Sequence, residues 1–186
     1  MFLRKAYIIV AFIIIVFSFL LLSLPSYAVI RTVEGVVSKV SDGDTLHVIT
    51  QEGTKLKIRL YGCDAPETEK ANRRTGKISK PGQPYGEESM FALQEKVYRK
   101  NVRVDIINID RYRRMVSIIW LLNRNINLEM IREGYAEAYC EYLKEPYRSQ
   151  FVDAEHKAKS EQKGIWGLGN YERPCEFRKR LRVRGN

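Results

Sequence analysis

Histidine is almost missing from this 186-residue chain, which has only His47 and His156. Two imidazoles are too few for a histidine-rich transition-metal centre, and they supply a serine–histidine hydrolase poorly. His47 falls on a predicted strand and His156 on a predicted helix, so both read as structural. Cysteine is nearly as scarce. Cys63, Cys140 and Cys175 show no Cys-x-x-Cys or Cys/His spacing of the kind that holds zinc. Three thiols fit an oxidising compartment, where one pair can bridge and one thiol stays free. Acidic residues are outnumbered 22 to 32, a formal charge of +10, which points toward a polyanionic partner such as nucleic acid. With histidine and cysteine so limited, the chemistry falls to carboxylates.

Long hydrophobic runs are confined to the first 28 residues. Arg4 and Lys5 precede an apolar run from Ala6 to Leu24, and Ser26-Tyr27-Ala28 places small residues where a signal peptidase looks. This order predicts a secretory signal cleaved after Ala28. The run is also long enough to serve as an uncleaved membrane anchor. Either way the rest of the chain is expected outside the cytoplasm, and it still carries 30 basic against 22 acidic residues. Its length suits one domain, over residues 29–170, followed by a basic tail over residues 171–186. No internal repeat is visible, and a monomer is expected.

Strand-like segments are predicted at residues 33–40, 45–50 and 55–61, with Glu52-Gly53 punctuating a hairpin between the last two. In the third, Leu56, Ile58 and Leu60 share one face while Lys57, Arg59 and Tyr61 share the other, giving a core face and a working face. Residues 64–84 hold three prolines and five basic side chains without periodicity, and read as a long loop. Met90, Leu93 and Val97 recur at helical spacing behind Glu87-Glu88, which suit a helix N-terminus. Two more strands are predicted at 102–107 and 115–122, a short helix at 128–133 ending at Gly134, and a longer helix from Pro146 to Gly164. Short strands with appended helices predict an α+β protein built on a five-stranded OB-fold β-barrel with about three helices.

Three segments concentrate chemistry. Asp42-Gly43-Asp44-Thr45 lies between two predicted strands. Arg59-Leu60-Tyr61-Gly62-Cys63-Asp64-Ala65-Pro66-Glu67-Thr68 puts an arginine on the working face and two carboxylates at a strand exit. Asp110-Arg111-Tyr112-Arg113-Arg114 links the last two strands. Each alone also reads as an ordinary charged turn, since Asp, Gly and Pro favour turns. Their residue types nevertheless suit phosphodiester hydrolysis. Charge grows on the phosphate oxygens as water attacks, so fixed positive charge must be aimed there, and paired guanidiniums do this by forked hydrogen bonds that lysine cannot copy. Carboxylate and carbonyl oxygens suit a hard divalent ion, and a further carboxylate can take water's proton.

In order, spacing and residue type, these three segments resemble the staphylococcal nuclease family over nearly all of residues 33–166. The resemblance implies that Asp44, Asp64 and the backbone carbonyl of Ala65 hold Ca²⁺, that Arg59 and Arg114 clamp phosphate, and that Glu67 activates water. Gly164-Ile165-Trp166 resembles the end of the family's last helix. A binding module on the same barrel would be expected to have lost some of the five charged residues, and all five are present. Arg113 departs from the glycine usual at its position, and the loop before Tyr85 is longer than in the type member.

Substrate contacts are expected from Lys70, Arg73, Arg74, Lys77 and Lys80, whose bonds to phosphate would be blind to sequence. Each of these also reads as a solvated loop residue. Tyr112, Tyr139 and Tyr142 are candidates for stacking on bases or bonding a terminal phosphate. Tyr139 and Tyr142 lie near the family's paired tyrosines, with Cys140 blurring the register. Cys140 and Cys175 flank the last predicted helix and either staple the tail to the barrel or remain separate thiols. DNA, RNA or both fit as the partner.

Overall fold

The computed structural model describes residues 29–72 and 74–184, so the expected signal segment and Arg73 lie outside it. Three long strands begin the fold: β1 (Arg31–Asp42), β2 (Thr45–Thr50) and β3 (Lys55–Leu60). They pair antiparallel in sequence order through tight turns, with Gly53 at a φ of 80° in the second turn, a conformation that glycine adopts freely. β7 (Asn101–Ile109) pairs with β1, and β8 (Met115–Leu121) pairs with β7. Parallel pairing of β3 with β8 closes the five long strands into a barrel, as the OB-fold reading requires.

Alternation along the strands fills the interior. Leu46, Val48, Ile58, Val104 and Ile119 are fully buried on the barrel's inward face, and Ile118, on the opposite face of its strand, is buried as well. Three helices cover the barrel: α1 (Gly86–Val97), α2 (Ile126–Arg132) and α3 (Tyr147–Ser160). They contribute Leu93, Met130, Ile131 and Phe151 to the same core. Each such side chain adds roughly 1.5–3 kcal/mol on burial. The fully buried Asn127 of α2 fastens the closure: its amide group donates to the carbonyls of Tyr61 (2.9 Å) and Ser117 (3.0 Å) and accepts from the Ile119 amide (3.0 Å). The end of β3 and the middle of β8 therefore meet at one side chain, beside the strand exit that carries Asp64.

That exit forms β4 (Cys63–Asp64), paired with β10 (Glu137–Ala138) so that Asp64 faces Glu137. Two features differ from the sequence reading. The stretch over 64–84 is not wholly irregular, because β5 (Lys70–Ala71) and β6 (Ile78–Lys80) form a small hairpin within it. The basic tail folds into a fourth helix, α4 (Pro174–Arg184), which buries Phe177 against the domain. Proline fits that helix start because its missing N–H is not needed there. A short strand, β9 (Arg124–Asn125), and a 3₁₀ turn at Gly164–Gly167 complete the described chain.

The bridge considered between Cys140 and Cys175 is not formed, and all three cysteines are free thiols. The Cys140 thiol instead donates to the Ala138 carbonyl at 3.5 Å. Cys63, fully buried beside the acids, donates to the Asn127 carbonyl, and burial pushes its pKa up, keeping it a protonated core residue. Among the described residues no helix is long and apolar enough to cross a membrane.

Candidate active site

Asp44 ends the turn between β1 and β2, and Asp64 ends β4; their residues are 2% and 1% exposed, so both carboxylates need partners. Arg59, projecting from β3 opposite Thr45, supplies one guanidinium to both. Its Nη1 pairs with Asp44, and its Nη2 lies 2.8 Å from Asp64 Oδ1 and donates to the Cys63 carbonyl at 3.2 Å. Burial works against this charge, but Asp44 and Asp64 outweigh it and raise the Arg59 pKa. The Ala65 amide donates to Asp44 Oδ2 at 3.0 Å, locking the two acid-bearing segments together. The structure thus gathers Asp44, Asp64, Ala65 and Arg59 at one point on the barrel surface.

Glu67 joins them from the adjacent turn. Its backbone is fixed by an exchange with Gln83: the Glu67 amide donates to Oε1 at 3.0 Å, and the Gln83 amide donates to the Glu67 carbonyl at 2.8 Å. The first turn of α1 packs directly behind it. A Cβ on Gly86 would come within 2.3 Å of the Glu67 carbonyl oxygen, so this approach requires glycine. The carboxylate itself pairs with Lys80 of the small hairpin.

Arg114 is placed differently. It lies two residues before Val116, which faces Arg59 across β3 and β8, so strand alternation puts it on the same side of the sheet, one pleat along. Its guanidinium is held by Asp110 at 2.7 Å and lies over the Tyr112 ring at 5.4 Å. Burial opposes ionisation of Asp110, but bonds from the Arg114 amide and guanidinium win and lower its pKa. Arg113, at a φ of 60°, adopts the left-handed conformation that explains why glycine suits this position.

The loop candidates divide. Lys70 pairs with Asp42 at 2.8 Å and Lys80 with Glu67, whereas Arg74 and Lys77 are exposed and have no ion-pair partner among the described residues. Tyr112 and Tyr142 are exposed, and the Tyr139 and Tyr142 rings lie 5.6 Å apart. The Tyr139 hydroxyl donates to Glu141 at 2.7 Å, and burial together with that bond pushes its pKa up to about 12.

One residue at the site was missed by the sequence reading. Arg178 of α4 forks onto Asp64, with Nη1 2.9 Å from Oδ1 and Nη2 2.8 Å from Oδ2, and Nη1 also reaches Glu67 Oε1 at 3.1 Å. Burial disfavours its charge, but the bonds to Asp64 and Glu67 raise its pKa. It lies in the stretch that the sequence marked only as a basic tail.

Barrel and cluster together define an OB-fold protein with buried acids and an arginine at one surface site. The profile of the family described as Staphylococcal nuclease homologue matches residues 57–167. This chain belongs to the staphylococcal nuclease family. It is similar to an uncharacterized endonuclease of Haemophilus influenzae, 33% identical over 79% of this chain and 74% of the relative. It is also similar to a micrococcal nuclease of Shigella flexneri, 30% identical over 86% of this chain and 87% of that protein. A probable endonuclease of Candida albicans is 35% identical over 70% of the chain and 55% of its own length.

Proposed function

We propose that this chain is an exported, calcium-dependent nuclease that hydrolyses phosphodiester bonds of DNA, RNA or both. The observation carrying this reading is the convergence of Asp44 and Asp64 on one guanidinium, with Glu67 alongside. The donor set fits a hard ion: the two carboxylates lie within the span of one planar fork, and Ala65 sits beside them. Among the described residues no three acidic, histidine or cysteine side chains form a cluster that could hold a metal. Two carboxylates and a carbonyl would leave the remaining positions of a hard ion to water and phosphate. A bound divalent ion would draw charge from the phosphate oxygens and make water a better nucleophile.

The chain's own residues supply the rest. Asp44, Asp64 and the Ala65 carbonyl would hold the ion. Arg59 brings fixed positive charge to the point where phosphate must lie, and Arg114 approaches from the same sheet face. Glu67, its backbone immobilised by Gln83, orients the attacking water and takes its proton. No covalent intermediate is required. The export reading is supported by the Arg4-Lys5, apolar and Ser26-Tyr27-Ala28 order.

Digestion of single- and double-stranded DNA and of RNA by cell fractions and by purified chain tests this reading. Cleavage is expected outside the cytoplasm, lost with chelator and restored better by calcium than by magnesium, because a flexible oxygen site tolerates the larger ion. Undiminished cleavage in excess chelator refutes the metal-assisted mechanism, and activity confined to the cytoplasm refutes export.

A further inference from the structure

Strand register sets a basic row beside the catalytic one. Asp42, Thr45, Arg59 and Val116 face one another across four strands. One pleat away, about 6.7 Å along the strands, Lys39 faces His47 and His47 faces Lys57. Lys55 follows on the same face of β3, one pleat further. Lys39, Lys55 and Lys57 are exposed, and none has an ion-pair or hydrogen-bond partner among the described residues. Their shared potential registers on His47, whose pKa is lowered by burial and then by Lys39, Lys57 and Lys55.

Uncompensated charge on neighbouring strands opposes itself until an anion covers it. The loop lysines Lys70 and Lys80 already have carboxylates, so they offer less to a polyanion than this row does. We propose that Lys39, His47 and Lys57 form a track for the phosphate backbone of single-stranded nucleic acid, leading across the barrel to Arg59. Resting on the nuclease reading, the track adds sequence-blind binding on the sheet to that of the exposed loop cations Arg74 and Lys77.

The test is the salt dependence of oligothymidylate binding by the full chain without metal. The double variant Lys39→Gln/Lys57→Gln removes two phosphate contacts, so the slope of log affinity against log salt should fall by about 1.4, with binding roughly tenfold weaker at 0.1 M salt. Lys157→Gln/Lys163→Gln, which alters lysines paired with Glu161, should keep the wild-type slope. An unchanged slope in the row variant, or an equal fall in the control, overturns the track. If wild-type protein neither binds nor cleaves nucleic acid, the nuclease reading fails with it.

A separate observation concerns α4. Its fork from Arg178 covers both oxygens of Asp64 and one of Glu67, the acids assigned to the ion and to water. The helix is held in place by buried Phe177 and by Arg173, which lies 2.8 Å from Glu137, the strand partner of Asp64. A guanidinium and a divalent cation repel and need the same lone pairs. We infer that α4 is a latch, with Arg178 and the metal competing for Asp64, an inference that rests on the calcium reading. Calcium titration calorimetry without substrate should give at least tenfold tighter binding for Arg178→Ala than for wild type, and no change for Arg180→Ala, whose partner is Glu172. In wild type, calcium should speed amide exchange over residues 174–184. Equal or weaker calcium binding by Arg178→Ala, or unaltered exchange, overturns the latch alone. No calcium binding by any of the three proteins defeats the calcium reading as well.

Discussion

Arg59→Lys is expected to lower single-turnover cleavage by about a hundredfold or more while leaving substrate affinity within a few-fold. The guanidinium reaches Asp44 with one nitrogen and Asp64 with the other, a planar fork across two buried carboxylates. A lysine ammonium keeps the charge but cannot hold both acids and face a phosphate in fixed directions. Loss of one such oriented donor costs on the order of 3 kcal/mol in the transition state. Binding draws on charge at many points and is less sensitive, so the effect should appear in turnover.

Glu67→Gln should lose about two to four orders of magnitude in rate, because an amide cannot accept water's proton. The change is nearly isosteric, and the Glu67 backbone is fixed by Gln83 rather than by its own side chain. Fold and metal binding should therefore survive. Circular dichroism and calcium titration on the same preparation separate a lost base from a lost fold.

The strands were legible in the sequence because they depend on short-range pattern, whereas the roles of the site residues came from the resemblance to the family. The alternation of Leu56, Ile58 and Leu60 with Lys57 and Arg59 gave β3 its two faces, and the Asp44, Asp64 and Glu67 segments sit at strand ends that turn residues mark. Barrel closure was less accessible. It depends on Asn127, a polar residue in a short helix whose three backbone partners come from distant segments. The hairpin of β5 and β6 escaped because two strands of two and three residues carry no periodicity.

Helix α4 was hidden by its charge. Phe177 and Leu181, four apart and behind Pro174, were the available signals of a docked helix, and the surrounding arginines and lysines obscured them. Arg178 could not be singled out from Arg180 by sequence. Its aim at Asp64 follows from how Phe177 and Arg173 seat the helix.

The most direct test of the site is a paired measurement on one labelled oligonucleotide: single-turnover cleavage in calcium and equilibrium binding, for wild type, Arg59→Lys and Glu67→Gln. The acid–arginine cluster predicts rates at least a hundredfold lower in both variants, with binding constants within a few-fold of wild type. Near-normal turnover in both would place the chemistry elsewhere on the barrel.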